Sequence, residues 1–134
     1  MSNCIFCKIA NHEIPGKILY EDNDCIAFLD LSQTTKGHTL VIPKAHAKSV
    51  LEIDQDNLAK SFKVAQNMAN MLKTKLNANG VNIITNSGII AGQTIEHFHL
   101  HVIPRFDEND TFEINFTDNS QICNLDEVFK IIKE

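Results

Sequence analysis

Apolar positions change their period twice along this 134-residue chain. They first come in short runs: Lys17-Ile18-Leu19-Tyr20, then Cys25-Ile26-Ala27-Phe28-Leu29 ended by Asp30, then Thr39-Leu40-Val41-Ile42 ended by Pro43. Runs of that length between turn residues predict β-strands, with turns at Glu21-Asp22-Asn23-Asp24 and at Gly37. A short helical turn is predicted over Phe6–Asn11, within compact, turn-rich residues 1–16. Leu58, Phe62, Ala65, Ala69, Leu72 and Leu76 then follow at intervals of three and four, one face of an α-helix. Met68 and Met71 widen this stripe, Asp54 is the expected N-cap, and Gly80 the expected C-terminal stop. A helix over 55–78 would be roughly 35 Å long at about 1.5 Å per residue. Strand-length runs return at Val81-Asn82-Ile83-Ile84-Thr85 and at His97–Ile103, ended by Pro104, with a loop containing Gly88 and Gly92 between them. Asn124–Glu134 predicts a short helix with Leu125, Val128, Phe129 and Ile132 on one face.

This order predicts an α+β domain. It has an antiparallel sheet of about five strands, one long helix packed on it and a short C-terminal helix. Such a sheet leaves one face free for a site. No repeat, low-complexity tract or linker interrupts the chain, so 1–134 reads as a single domain.

Charge narrows the partners. Twelve Lys and Arg stand against seventeen Asp and Glu, a net charge of −5. That argues against nucleic acid, which needs a concentrated basic surface. No apolar run reaches the roughly 18 residues of a membrane span, and none of signal-peptide length follows Met1. A cytoplasmic protein without a membrane partner is the expectation. In a reducing compartment the close pair Cys4 and Cys7 points to metal ligation rather than a disulfide. Redox use of Cys-x-x-Cys would need a strand before it, and none precedes Cys4. Cys25 sits in an apolar run and reads as an inert core thiol; Cys123 reads as a tail thiol.

Three of the six histidines alternate at His97, His99 and His101. In a strand they would share one face, while Phe98, Leu100 and Val102 would pack under the long helix. His97 and His101 would lie roughly 13 Å apart at Cα, too far for one tetrahedral metal to take all three comfortably. Cys4 and Cys7 can clamp one Zn²⁺, leaving two positions for His46 and one strand histidine. A zinc closed by four protein ligands is structural and leaves the other histidines for nucleophilic or acid–base work. The turn bearing Gln93 and Thr94 offers donors for anionic oxygens.

The run Gln93–Ile103 resembles the histidine triad (HIT) motif, His-φ-His-φ-His-φ-φ with φ apolar. Cys4–Ile9, Glu13-Ile14-Pro15, Cys25–Asp30 and Gly37–Lys44 with His46 are similar to HIT segments in the same order, so the resemblance covers about residues 3–105. It implies a HIT-like fold, a homodimer, and a hydrolase or transferase acting at the α-phosphate of purine nucleotide conjugates. His99 would be the nucleophile, forming a nucleotidyl-histidine that water resolves to a nucleoside monophosphate. His101 would contact phosphate and leaving group, with Gln93 supporting catalysis. Gly92, Gln93, Thr94 and Asn86 would serve the phosphate, His38 would line its site, and Asp30 and Leu31 would meet the ribose. Ile5, Phe6, Ile9 and Ile14 would form the base slot. Zinc would be held by Cys4, Cys7, His46 and His97, one ion per chain. Pro104-Arg105 stands where the phosphoramidase-type branch commonly has Gly-Gly; Pro-Arg also occurs in dinucleoside polyphosphate hydrolases and many bacterial members. The tail, 106–134, matches no phosphoramidase C-terminus. A nucleotide-binding regulatory module with little turnover is the alternative reading. A metallohydrolase with histidine ligands is a third.

Overall fold

The computed structural model describes residues 3–134. Its elements are α1 (Ile5–Ala10), β1 (Ile18–Glu21), β2 (Cys25–Leu29), β3 (Thr39–Pro43), α2 (Gln55–Leu76), β4 (Gly80–Ile84), β5 (Leu100–Arg105) and α3 (Leu125–Lys133), with a 3₁₀ turn at Ile89–Ala91. The five strands form one antiparallel sheet in the order β1-β2-β3-β5-β4. The predicted α+β architecture, with its long and short helices, is the one observed.

Both faces of the central strands are covered. Cys25, Ala27, Val41, Leu100 and Val102 turn to α2, where they meet Val64, Ala65, Met68 and Leu72. Ile26, Phe28, Leu40 and Ile42 turn the other way and pack on Phe6, Ile9 and Ala10 of α1. The expectation of one free face is therefore corrected: α1 covers its middle. This explains why β2 and β3 read as unbroken apolar runs rather than as alternation. Cys25 is fully buried, as expected, and burial pushes its thiol pKa up.

The details of α2 differ from its expected stripe. Phe62 and Met71 are exposed, and the buried line runs through Ser61, Val64, Ala65, Met68 and Leu72. Asp54 caps the helix by accepting the Asn57 N–H at 2.8 Å, as expected. The stop is Asn77, in the left-handed conformation at φ 57°, and not Gly80, which opens β4. The two prolines expected to end strands lie within them, at the last residue of β3 and the fifth of β5. Each still offers a carbonyl: Pro43 accepts from the His97 ring at 2.8 Å and Pro104 from the Thr35 hydroxyl at 2.6 Å. Gly37, at φ 96°, is required, because a Cβ there would run into Leu76 and Pro104.

Arg105 explains the local course of the tail. Its guanidinium donates to Asp110 Oδ2 at 3.1 Å, Asn82 Oδ1 at 2.8 Å and the Phe112 carbonyl at 2.7 Å. It also lies over the Phe112 ring. The chain from Phe106 to Phe112 is thereby tied to the β4 edge. Beyond it, α3 is exposed along its whole length, so its expected apolar face is formed without being buried. No helix among the described residues is long and apolar enough to cross a membrane.

Candidate functional site

The histidine run is not one strand. β5 begins at Leu100, and His97–His99 lie in extended chain before it. The reason is local competition for partners. The stretch runs beside residues 43–48 and bonds to it individually: Phe98 N–H to the Ala47 carbonyl at 2.7 Å, His97 Nε2–H to Pro43 at 2.8 Å, and Gln93 Nε2–H to the Lys48 carbonyl at 2.6 Å. Even so, Phe98, Leu100 and Val102 enter the α2 core together, as their alternation predicts.

At one end, four side chains from three parts of the chain converge. Cys4 and Cys7 flank the start of α1, His46 follows β3, and His97 precedes β5. Cys4 Sγ is 3.3 Å from His97 Nδ1, Cys7 Sγ is 3.3 Å from His46 Nδ1 and 3.5 Å from His97 Nδ1, and the two Nδ1 atoms are 3.2 Å apart. A tetrahedron with about 2.3 Å to sulfur and about 2.0–2.1 Å to nitrogen has edges of roughly 3.3–3.8 Å. The donor set and its spacing therefore fit a single tetrahedral metal. His97 is fully buried, and burial pushes its pKa down to about 4, so it is a neutral ligand at pH 7. Its Nε2–H is committed to Pro43, which leaves the Nδ1 lone pair for the metal.

Two residues on, the same ring is turned over. His99 donates its Nδ1–H to the His97 carbonyl at 2.7 Å. Its Nε2 therefore carries the lone pair. Burial lowers its pKa, only partly opposed by that hydrogen bond and by Asp30. Phe6 stands edge-on to the ring, with centroids 5.1 Å apart. A neutral imidazole with one nitrogen tied and the other free is the form a nucleophile needs.

His99 and His101 open on a cleft of about 360 Å³ between α1, the β1 approach and the end of β2. Ile5, Phe6, Ile9, Ile14, Asp30, Leu31 and Thr94 line it too, so nine of the expected site residues meet there. Leu31 is 99% exposed, at the rim. Burial alone would raise the Asp30 carboxyl pKa. Two hydrogen bonds from Ser32, with His38 and His101 nearby, outweigh it and hold the group below the usual carboxylate range.

The remaining expected residues do not line this cleft. His38 lies behind it, buried, with Nε2 3.0 Å from His101 Nδ1. Gln93 turns inward and staples its loop. It donates to the Lys48 and Ile95 carbonyls and accepts the Gly88 N–H at 2.9 Å. Asn86 and Gly92 lie against one another in the same loop. Its amide is spent on these carbonyls, so Gln93 reaches the cleft only through the backbone it holds. The cleft also takes in Pro15, Gly16, Lys17, Ser32 and Ile95, which the sequence did not single out. They lie between elements; Pro15 and Ile95 fall inside the HIT-like segments, but the resemblance attaches no role to them.

The HIT domain model matches residues 11–108. An adenosine 5′-monophosphoramidase of Saccharomyces cerevisiae is 35% identical over 131 residues, covering 98% of this chain and 79% of the relative. A HIT family protein of Bacillus anthracis superposes with a TM-score of 0.92 at 42% identity, covering 98% and 93% of the two chains. A zinc-bound histidine triad family protein of Mycobacterium smegmatis does so with a TM-score of 0.79 at 35% identity, covering 90% and 87%.

Proposed function

Because the chain belongs to the HIT domain family, we propose that it hydrolyses the α-phosphate bond of purine nucleotide conjugates through a nucleotidyl-histidine at His99. The observation that carries this reading is the His99 ring: Nδ1–H held by the His97 carbonyl, Nε2 free beside the cleft. His99 Nε2 attacks phosphorus, the phosphorus–leaving-group bond breaks, and the phospho-imidazolium that results is itself a good leaving group. Water then attacks the same phosphorus, the phosphorus–nitrogen bond breaks, and nucleoside monophosphate leaves with His99 restored. Apolar Ile5, Phe6, Ile9 and Ile14 suit the flat base. Asp30 suits the ribose hydroxyls, and Thr94, which follows the loop that Gln93 staples, suits the phosphate.

Cys4, Cys7, His46 and His97 would hold one zinc ion. With four protein ligands it would supply folding energy and leave the chemistry to the histidines. The relative named as a phosphoramidase supports a phosphoramidate substrate. A homodimer in the cytoplasm belongs to the same reading; light scattering should find twice the chain mass. The deciding experiment measures AMP release from adenosine 5′-phosphoramidate and from diadenosine tetraphosphate, wild type against His99→Ala. Release abolished in the variant supports the mechanism. Equal release from both proteins overturns it, and release from neither substrate by the wild type favours a binding module.

A further inference from the structure

Asp30 and His101, which line the cleft, and His38 behind them bring three ligand-type atoms together. Their hydrogen bonds say what the group does. The Thr34 backbone N–H donates to His38 Nδ1 at 3.2 Å. A backbone amide can only donate, so His38 Nδ1 holds a lone pair and the proton of the neutral ring is on Nε2. That Nε2 is 3.0 Å from His101 Nδ1 and 3.6 Å from Asp30 Oδ2. The shorter approach is the hydrogen bond. His101 Nδ1 is then an acceptor, and its own proton is on Nε2, the nitrogen with no protein partner among the described residues. Burial lowers the pKa of both rings, His101 to about 4, so both are neutral at pH 7.

We propose that His38 is a positioning residue that fixes the tautomer of His101, so that His101 presents an N–H, and not a lone pair, to the substrate in the cleft. The chain of bonds is Thr34 N–H to His38 Nδ1, then His38 Nε2–H to His101 Nδ1. It assigns the two cleft histidines opposite characters. His99 offers a lone pair to phosphorus, and His101 offers a donor to an anionic phosphate oxygen or leaving atom. The other tautomer of His101 would aim a lone pair at those anions. The consequence for turnover rests on the phosphoryl-transfer reading; the tautomer itself does not.

The same bonds argue against a second metal site. A cation on His38 Nε2 would need the ring proton on Nδ1, where the Thr34 N–H already points.

The test uses the full chain labelled with ¹⁵N-histidine. Nitrogen shifts at pH 7 report which atom of His101 carries the proton. Two variants separate structure from role: His38→Gln, whose side-chain amide can donate from about the same place, and His38→Leu, which has no donor. A thermal melt of each shows that it folds. The wild type and His38→Gln should show the Nε2–H form of His101, and His38→Leu should gain the Nδ1–H form. With adenosine 5′-phosphoramidate, kcat should fall about 10- to 100-fold in His38→Leu, less than the roughly 10²–10³-fold of deleting a donor outright. KM should stay within about threefold and His38→Gln should recover most of the loss. An Nδ1–H form in the wild type overturns the proposal. So does a second equivalent of bound zinc that His38→Leu removes, or a His38→Gln variant that keeps the tautomer yet is as slow as His38→Leu. An Nε2–H form in a wild type that turns over no nucleotide supports the tautomer and sinks the proposed reaction instead.

Discussion

His97 and His101 stand at the two ends of one short motif, and the protein uses them oppositely. At the His97 end the ring gives its Nε2–H to Pro43 and turns Nδ1 to two sulfurs and a second imidazole. At the His101 end Nδ1 faces His38 and Nε2 faces the cleft. His99, between them, is tied at Nδ1 to the backbone and free at Nε2. The residue type is the same and the spacing regular, so neither decides the role. The partner of the second nitrogen does, because a neutral imidazole has one proton and one lone pair to place.

The largest expected effect breaks the chemical end alone. His99→Ala should lower turnover by at least about 10³-fold while nucleotide binding and the melting temperature stay near wild type. Single-turnover kinetics with a calorimetric titration would show it, and a turnover loss matched by lost folding would contradict it. Cys7→Ala should do the reverse at the other end. It should lower the unfolding free energy by several kcal/mol, as removal of a structural zinc does. Denaturant unfolding with metal analysis by mass spectrometry checks this. A metal-free wild type of unchanged stability would remove the distinction between the two ends.

Gly37→Ala tests the backbone that delivers His38. A positive φ and a crowded Cβ position together predict a loss of about 1–3 kcal/mol by chemical denaturation. The smallest effect is that of mild acid. His101 has its pKa pushed down to about 4 in the folded chain, against about 6.5 unfolded. Between those values the unfolded state binds the extra proton, so stability is present above about pH 6.5 and declines as pH falls toward 4. Urea midpoints from pH 7 to 5 should fall, and His101→Gln should flatten part of that slope. A midpoint that rises on acidification would mean the ring gains a proton on folding.

The four separated motif segments were legible in the sequence, and so was the division into strands and helices. The Arg105 clamp was not: Asp110 and Phe112 lie in a tail with no periodic signal. Nor was the exposure of Phe62, since a 22-residue helix shows its apolar residues over a wider arc than one sheet covers.

What the sequence determined by itself was the type and order of elements and the set of residues able to do chemistry. Periodicity is a local property repeated over many positions, so single exceptions such as Met71 do not obscure it. What tertiary structure alone decided was the use of each residue. Cys4 meets His97 across 93 positions of chain, and His38 meets His101 across 63. Gln93 turns from the cleft to staple a loop. Each outcome depends on one or two long-range contacts to a particular nitrogen or carbonyl. No pattern along the chain encodes them; packing α1 and α2 on opposite faces of the sheet brings them into being.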